Sequence, residues 1–335
     1  MSKLINCLIN KDFSCKPVWF MRQAGRYLPE FRKIRQKNQN FIKLCLDKDL
    51  SSEITLQPIK RFNLDAAIIF SDILIVPFAL NQSVNFKSLN GPRLARFDIE
   101  KFMRVKKADF LKTLDPVYQA ISKTRKNLSK EKSLICFVGS PWTLLTYMLN
   151  IDKANFISSN LDKSLKNQDQ NKVLEKLIEF LKAHIEQQTK AGADIVQIFD
   201  SWAGLLDLRS LHRFCFIPNK ELVSFCRGKN IPTICFPKGI KTNYKKFVDF
   251  VKPNGISIDY DLDPEWAQSN LGNICIQGGM NPSVLLENEK IALKETERYL
   301  KIFKDKPYIF NLGHGILPNT NPTIIKKIVE KIRAI

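Results

Sequence analysis

Eight short apolar runs, spread along the whole chain, constrain the fold of this 335-residue sequence more than any other feature. Each run is bounded by glycine, proline or a polar residue, which is typical of strands buried on both faces. The runs are PVWFM (17–21), DAAIIF (65–70), SLICFV (133–138), ADIVQIF (193–199), PTICF (232–236), GISID (255–259), NICIQ (273–277) and YIFNL (308–312).

Helical patterns lie between these runs, as in the 3.6-residue repeat of leucine and isoleucine over 174–185. Strands that alternate with helices predict parallel βα units, and eight such units close a barrel. An open doubly wound sheet is the competing architecture, but the first run leads into MRQAGRYLPEF, which lacks the GxGxxG loop of that fold. We predict an α/β protein with a single (β/α)8 TIM-type barrel domain over residues 1–335.

The charge balance is strongly basic, with 53 Lys and Arg against 33 Asp and Glu and a net charge of +20. This excess favours an anionic partner, which could be nucleic acid, a membrane surface or a polycarboxylate. The lysines are scattered, however, so a basic solvated surface without a specific partner is an equal alternative. No apolar run approaches the roughly 18 residues of a membrane span. The eight cysteines include no CxxC pair, and we expect a cytoplasmic protein with reduced thiols.

Polar and ionisable residues follow the apolar runs, where a βα barrel carries its functional groups. Each has a structural alternative: Asp72 and Ser201 can cap helices, and Tyr147 can belong to the core. His314 lies between two glycines in NLGHG, which favours function because glycine permits close approach of a ligand. The main members of the set are Arg22, Gln23, Arg26, Asp72, Tyr147, Ser201, Lys238, Asp259, Gln277 and His314.

Arg22 and Arg26 give the sharpest functional signal in this set. They lie four residues apart, just beyond the first apolar run in PVWFMRQAGRYLPEF. Guanidinium groups match carboxylates and phosphates in a bidentate way. Three explanations account for them: a surface salt-bridge cluster, a nucleic-acid contact, or a clamp for an acidic small molecule.

The motifs of common metal and cofactor enzymes are not found in the sequence. There is no HExxH, H-x-C pair, GxSxG elbow or P-loop. His212 and Cys215 form an HxxC pair, but no second ligand pair accompanies them, so a tetrahedral zinc site is weakly supported. We expect a cationic cleft that contains one carboxylate, with no cofactor and no metal.

The longer motifs resemble one known family. PVWFMRQAGRYLPEF is similar to the N-terminal signature of the uroporphyrinogen decarboxylase family, and DAAIIFSDILIVP, GSPWTLLTYML, ADIVQIFDSWAG, CFPKG and FNLGHGILP follow in that family's order. The resemblance implies a (β/α)8 barrel, usually as a homodimer with facing active sites. It also implies decarboxylation of the four acetate side chains of uroporphyrinogen III to give coproporphyrinogen III, without a cofactor. The partner would be this tetrapyrrole, with no nucleic acid or membrane.

The resemblance also assigns roles to individual residues. Asp72 would accept the pyrrole N–H groups and stabilise positive charge on the ring. A guanidinium group is a poor acid at neutral pH, so water and His314, with an imidazole whose ordinary pKa is near 6.5, are further candidates beside Arg22 for the proton donor. Phe31 and Phe199 are candidate walls for the macrocycle. The implied catalytic residues are Asp72, Arg22 and Tyr147, and the implied substrate-binding residues are Arg22, Gln23, Arg26, Asp72, Tyr147, Ser201 and His314.

The chain departs from the family pattern in QGGMNP (277–282), where the family has a stretch like QGNLDP. Asn281 can cap a helix as Asp does, so a small effect is expected there. Gly279 replaces an asparagine, and any contact of that side chain is lost.

Two alternatives of other classes are open. A zinc- and cobalamin-linked methyltransferase on the same barrel needs an H-x-C pair and a distant cysteine. Cys235 lies near the place of such a ligand, but Thr233, not histidine, stands two residues before it. A nucleic-acid-binding protein is suggested by charge alone, and the many apolar strands argue against it.

Overall fold

The computed structural model describes residues 1–86, 91–151, 156 and 165–334. Seven parallel strands form one curled sheet, in the order β1-β4-β5-β6-β7-β8-β9. A separate antiparallel hairpin, β2 (Val84–Asn85) with β3 (Arg93–Leu94), precedes β4. The strands of the sheet are β1 (Ala66–Ile68), β4 (Ser133–Gly139), β5 (Ile195–Asp200), β6 (Thr233–Pro237), β7 (Gly255–Ile258), β8 (Cys275–Gly278) and β9 (Tyr308–Ile309).

Helices connect successive strands of the sheet, as the alternating sequence pattern predicts. The α-helices are Lys3–Ile9, Pro29–Lys37, Phe41–Cys45, Lys48–Phe62, Ile75–Ala79, Ile99–Arg104, Lys107–Asn127, Pro141–Met148, Asn167–Lys190, Leu208–Ser210, Ile217–Gly228, Asn243–Val251, Pro264–Asn270, Glu289–Ile302 and Pro322–Arg333. Two 3₁₀ turns (Ala203–Leu205 and Pro282–Leu286) and a π-helical stretch (Leu211–Phe216) complete the described elements. None of the described helices is long and apolar enough to cross a membrane.

Two helix starts that the sequence predicts are capped by side chains in the structure. The side chain of Ser140 accepts a hydrogen bond from the N–H of Thr143, at the start of the helix Pro141–Met148. Asn281, the departure noted above, accepts from the N–H of Ser283 at 2.9 Å and caps Pro282–Leu286. The expected capping by Asn281 is therefore confirmed.

The first apolar run is the one predicted strand that the structure does not form. Residues 17–21 make a single parallel bridge, between Val18 and Phe310. Trp19 N–H donates to the Phe310 carbonyl at 3.3 Å, but side chains accept from its neighbours: Asp65 Oδ2 from Val18 N–H at 2.8 Å, and Asn311 Oδ1 from Met21 N–H at 3.0 Å. The side chains thus replace a regular ladder, and the run is extended chain.

This extended segment lies between the two edge strands of the sheet. On one side, the Pro17 carbonyl accepts from Phe310 N–H at 2.8 Å, just beyond β9. On the other side, the Val18 carbonyl accepts from Asp65 N–H at 2.9 Å, just before β1. The residues that follow, Arg22 onward, therefore emerge at the same end of the sheet as the carboxyl ends of the strands, which we call the mouth.

The concave side of the curled sheet is filled by one apolar cluster. The strands of the sheet other than β7 contribute to it, and the N-terminal helix Lys3–Ile9, which was not predicted, adds Leu4, Cys7 and Leu8. The other members are Trp19, Met21, Ala66, Ile135, Ile195, Ile234, Phe236, Cys275 and Ile309. A larger cluster lies between the sheet and the surrounding helices. The two packed layers fix the strand ends that carry the mouth.

Candidate active site

Four of the predicted site residues come together at the mouth, although they come from distant parts of the chain. Burial raises the pKa values of Asp72 and Tyr147 and lowers that of His314; the charge of Arg22 opposes the first two shifts and adds to the third, and the charge of Asp72 adds to the rise at Tyr147. Because such effects require short separations, these side chains share one electrostatic environment. The expected cationic cleft with one carboxylate has its counterpart in this group.

Arg22 has an unusual backbone conformation at the point where the first run turns. Its φ is +60°, in the left-handed region that non-glycine residues occupy at a cost of about 1–3 kcal/mol. The side chain is exposed at the mouth and packs against Gly315, where a β-carbon would lie 2.6 Å from Cγ of Arg22. From this position the charge of Arg22 acts on both Asp72 and His314.

Gln23 is placed differently from its predicted role in substrate binding. Its side chain is fully buried, and both halves of its amide bond the main chain. Oε1 accepts from Phe20 N–H at 3.0 Å, and Nε2 donates to the Ala66 carbonyl at 3.0 Å. The structure therefore assigns Gln23 to holding the segment before Arg22 against β1, and it does not bring the amide to the mouth.

Arg26 is exposed, one turn beyond Arg22. Its carbonyl accepts a hydrogen bond from Arg32 at 2.9 Å. The arginines that form salt bridges within the described residues are Arg61, Arg104, Arg125, Arg298 and Arg333. Neither Arg22 nor Arg26 belongs to that group, which removes the salt-bridge-cluster explanation for the described part of the chain and leaves both guanidinium groups available to an anion.

Asp72 is half-buried just beyond β1, and hydroxyl groups of the helix Lys48–Phe62 hold the chain in front of it. Ser51 Oγ donates to the Phe70 carbonyl at 2.6 Å, and Thr55 Oγ1 accepts from Phe70 N–H at 2.8 Å. Burial raises the pKa of Asp72 to about 6, although the N–H of Leu74, at 2.8 Å from Oδ1, and the charge of Arg22 act in the opposite direction. At neutral pH the carboxylate is mostly ionised and poorly solvated, so it favours a ligand with N–H donors.

Tyr147 and Ser201 approach the mouth from β4 and β5. The ring of Tyr147 lies edge-on to Trp202, with 6.0 Å between centroids. Burial raises the pKa of Tyr147, with Asp72 adding to the rise while the side chain of Trp202 and Arg22 oppose it. The phenol is therefore a neutral donor at physiological pH. Ser201 is half-buried beside Trp202.

Asp200, the last residue of β5, joins these two elements. It is buried, and its Oδ1 accepts from Thr143 Oγ1 at 2.8 Å, in the first turn of the helix that carries Tyr147. Thr143 in turn accepts from Trp202 N–H at 3.3 Å. The sequence places Asp200 among the polar residues at the strand ends, but it gives no sign of this contact with Thr143.

His314 is neutral in this environment. Its Nδ1 accepts a hydrogen bond from Gly315 N–H at 2.7 Å, which places the ring proton on Nε2. Burial, together with the charges of Arg22 and Lys238, lowers the pKa of His314 to about 4. The imidazolium form that a proton donor requires is thus scarcely populated at neutral pH, and His314 is suited to donate a hydrogen bond from Nε2.

The two predicted aromatic walls separate in the structure. Phe31 is buried in the outer core, with its ring 5.6 Å from that of Phe70, and it does not face the mouth. Phe199 is half-buried on the concave side, between the rings of Phe137 and Phe236. Only Phe199 is in a position to contact a ligand that enters the cleft.

The candidate zinc ligands are dispersed. His212 is exposed and packs on the ring of Phe250, with 4.9 Å between centroids, whereas Cys215 is buried beside Asn219. Cys235 is buried, and burial raises its thiol pKa well above the ordinary value, which opposes the thiolate form that zinc binds. No group of three His, Cys, Asp or Glu side chains that could hold a metal occurs among the described residues.

A curled parallel sheet with ionisable side chains at the carboxyl ends of its strands defines the class of α/β enzymes built on βα units. The uroporphyrinogen decarboxylase (URO-D) family model matches residues 1–335. A uroporphyrinogen decarboxylase from Rickettsia bellii (strain RML369-C) is 41% identical over 340 residues, covering 98% of both chains. That from Wolbachia sp. subsp. Brugia malayi (strain TRS) is 40% identical over 320 residues, covering 95% of this chain and 91% of the relative. The chain belongs to the uroporphyrinogen decarboxylase family.

Solved structures agree on the fold. A methyltransferase from Methanosarcina mazei superposes with a TM-score of 0.79 at 17% identity, covering 99% of this chain and 97% of the other. A B12-independent methionine synthase from Shewanella sp. W3-18-1 gives a TM-score of 0.54 at 13% identity, over 86% and 87% of the chains. At these identities the likeness concerns the fold alone.

Proposed function

We propose that this protein decarboxylates the four acetate side chains of uroporphyrinogen III and releases coproporphyrinogen III, without a metal or organic cofactor. The observation that carries the proposal is the pairing of a poorly solvated carboxylate, Asp72, with the cationic Arg22 at the same mouth. A porphyrinogen presents complementary groups: pyrrole N–H donors at its centre and carboxylates at its edge.

In this proposal, positively and negatively charged side chains both bind the substrate. Arg22 and Arg26 bind peripheral carboxylates, and His314 adds a neutral Nε2–H donor. Asp72 accepts the pyrrole N–H groups, which replace the water that its burial excludes. Tyr147 and Ser201 supply hydroxyl groups at the adjacent edge.

The chemistry that we propose uses the substrate's own ring as the electron acceptor. Protonation of a pyrrole ring carbon makes the ring cationic, and the C–CO₂ bond then breaks with its electron pair flowing into the ring. The exocyclic methylene formed takes a proton while the ring carbon loses its own, so that one proton replaces CO₂ overall. Asp72 stabilises the cationic ring, an effect that can amount to several kcal/mol in a site of low polarity.

Neither His314 nor Arg22 is suited to supply the first proton. His314 is neutral at pH 7, and Arg22 is a poor acid. We therefore propose that solvent water carries the proton, with Arg22 holding the reacting carboxylate in position. A solvent isotope effect on kcat that Arg22→Lys leaves unchanged would fit this assignment.

The direct test of the function is anaerobic incubation of the purified protein with uroporphyrinogen III and no added cofactor. Chromatography should show the porphyrinogens with seven, six, five and finally four carboxylates. The absence of any conversion by correctly folded protein would overturn the proposal.

We further propose a single domain over residues 1–335 in which the segment 17–21 completes an eight-membered (β/α)8 barrel. The expected assembly is a cytoplasmic homodimer that binds neither nucleic acid nor membranes. Light scattering of the purified protein tests the dimer. The methyltransferase alternative is not favoured, because Thr233 stands where its H-x-C pair needs a histidine before Cys235, and no group of three side chains that could hold a metal occurs among the described residues. A zinc assay on the purified protein tests it.

A further inference from the structure

Lys238 is a cation at the mouth to which no role has been given above. It directly follows β6, and its side chain is half-buried. Its Nζ lies over the ring of Tyr260, 5.9 Å from the ring centre. Lys238 also acts with Arg22 on the pKa of His314. These relationships place its ammonium group in the same cleft as the residues of the proposed site.

The main chain around Lys238 is held from two neighbouring strands. Its N–H donates to the Asp200 carbonyl at 3.1 Å, and its own carbonyl accepts from Gly204 N–H at 2.9 Å. The next N–H, of Gly239, donates to Asp259 Oδ2 at 2.7 Å. Three bonds thus fix the backbone at Lys238 and the direction in which its side chain leaves the strand end.

The ammonium of Lys238 also lacks a counter-charge of its own. Its Nζ forms no salt bridge with any residue that the structure describes, whereas the half-buried Lys182 and the exposed Lys229 are paired with glutamates at 2.8 and 3.1 Å. A half-buried charge without an opposite partner is unfavourable unless a ligand supplies one. The partly exposed face of Tyr260, at 36%, leaves room beside the ammonium for such a ligand.

We propose that Lys238, supported by the ring of Tyr260, binds a peripheral carboxylate of the substrate at a point separate from Arg22. This inference rests on the function proposed above and deepens it. Arg22 follows the segment between β9 and β1, whereas Lys238 follows β6, so β7, β8 and β9 separate them in the sheet. Two cations at separated strand ends each bind a different carboxylate of the same molecule. They therefore favour a substrate that carries several carboxylates over one that carries few.

The kinetic test compares Lys238→Met with Lys238→Arg. Loss of the charge-assisted contact should raise KM for uroporphyrinogen III about tenfold or more while kcat changes less than about threefold. Lys238→Arg should restore most of the affinity. Lys246→Met, the same substitution at an exposed lysine of the helix Asn243–Val251, is the matched control and should behave as wild type.

A second readout does not depend on turnover. NMR titration of His314 should show a higher pKa in Lys238→Met than in wild type, and no change in Lys246→Met. An unchanged KM in a folded Lys238→Met protein, or a loss of kcat alone, would overturn the inference. The two failures are distinguishable, because inactive wild-type protein refutes the proposed function, whereas active wild type with a silent Lys238→Met refutes only the role of Lys238.

Discussion

The α-carbon of Gly315 lies directly against the side chain of Arg22. A β-carbon at this glycine would stand 2.6 Å from Cγ and 3.0 Å from Nε of the arginine. Gly315 therefore sets the position of a guanidinium that belongs to a residue almost 300 positions earlier in the chain. The NLGHG motif supplies a histidine and also the surface on which Arg22 rests.

Gly315→Ala should consequently displace Arg22 without removing its charge. The neighbouring atoms belong to a flexible side chain, so we expect a small loss of stability, about 1 kcal/mol, but a fall in kcat/KM of roughly 10- to 100-fold. Steady-state kinetics and chemical denaturation measure the two effects. Full activity in Gly315→Ala would show that the placement of Arg22 is unimportant.

Gly313→Ala serves as the contrasting variant. A β-carbon there would meet backbone atoms, 2.9 Å from the carbonyl carbon of Asp259 and 3.0 Å from the carbonyl oxygen of Gly279. Backbone cannot move aside as a side chain can, so this variant should lose stability by more than about 2 kcal/mol.

Asp72→Asn should abolish most turnover and at the same time stabilise the protein at neutral pH. The folded pKa of about 6 lies above the ordinary value of 3.8, so the ionised form costs folding free energy above pH 6, on the order of 2–3 kcal/mol. This cost falls as the pH drops from 6 towards 4, because the folded protein then binds the proton more tightly than the unfolded chain.

Denaturation of wild type and Asp72→Asn at pH 7.5 and pH 4.5 measures this difference. The variant keeps an oxygen for the N–H of Leu74, so the comparison isolates the charge. Asp305→Asn, at an exposed aspartate, is the control and should show neither effect. An Asp72→Asn protein that retains more than half of wild-type activity would contradict the assigned role.

His314→Gln should remove a pH dependence of stability that has the opposite sign. The folded pKa of about 4 lies below the ordinary 6.5, so the unfolded chain binds the extra proton between these values. Stability from the neutral histidine is present above pH 6.5 and is lost as the pH falls towards 4. The free energy of unfolding should therefore drop less between pH 7.5 and pH 4.5 in His314→Gln than in wild type.

Gln23→Met and Arg26→Met should separate structure from binding within one motif. The first leaves Phe20 N–H and the Ala66 carbonyl unpaired in the core and should cost about 2–4 kcal/mol of stability. The second removes an exposed charge and should change stability by less than about 0.5 kcal/mol while raising KM. Thermal unfolding and KM are to be measured on both proteins. A loss of stability in Arg26→Met together with a raised KM and unchanged stability in Gln23→Met would contradict these assignments.

The sequence predicted those features of the fold that depend on residues close together in the chain. Seven apolar runs became strands, and the caps at Ser140 and Asn281 formed because a cap needs only residues two or three positions away. The first run failed as a strand because its backbone donors bind Asp65 and Asn311, which are 47 and 290 positions away. Contacts between residues so far apart leave no repeating pattern in the sequence.

In the candidate site, too, the residue types were predicted from the sequence, whereas their environments were not. The motif identified Arg22 and Asp72 by residue type, but the burial that raises the pKa of Asp72 is visible only in the fold. The family resemblance of the first motif assigned Gln23 to substrate binding, whereas its partner Ala66 lies 43 positions away and is visible only in the fold. The neutral state of His314 depends on Lys238 as well as on Arg22, and the CFPKG motif gave no sign of that relationship.

The neutral His314 also links ligand binding to the proton concentration of the medium. Two nearby cations help to keep its imidazole uncharged in the free protein. A bound polycarboxylate would neutralise those cations and allow the imidazole to take up a proton more readily at mildly acidic pH. The heat of binding measured there in buffers of different ionisation enthalpy should then differ in proportion to the protons absorbed, and the difference should vanish in His314→Gln.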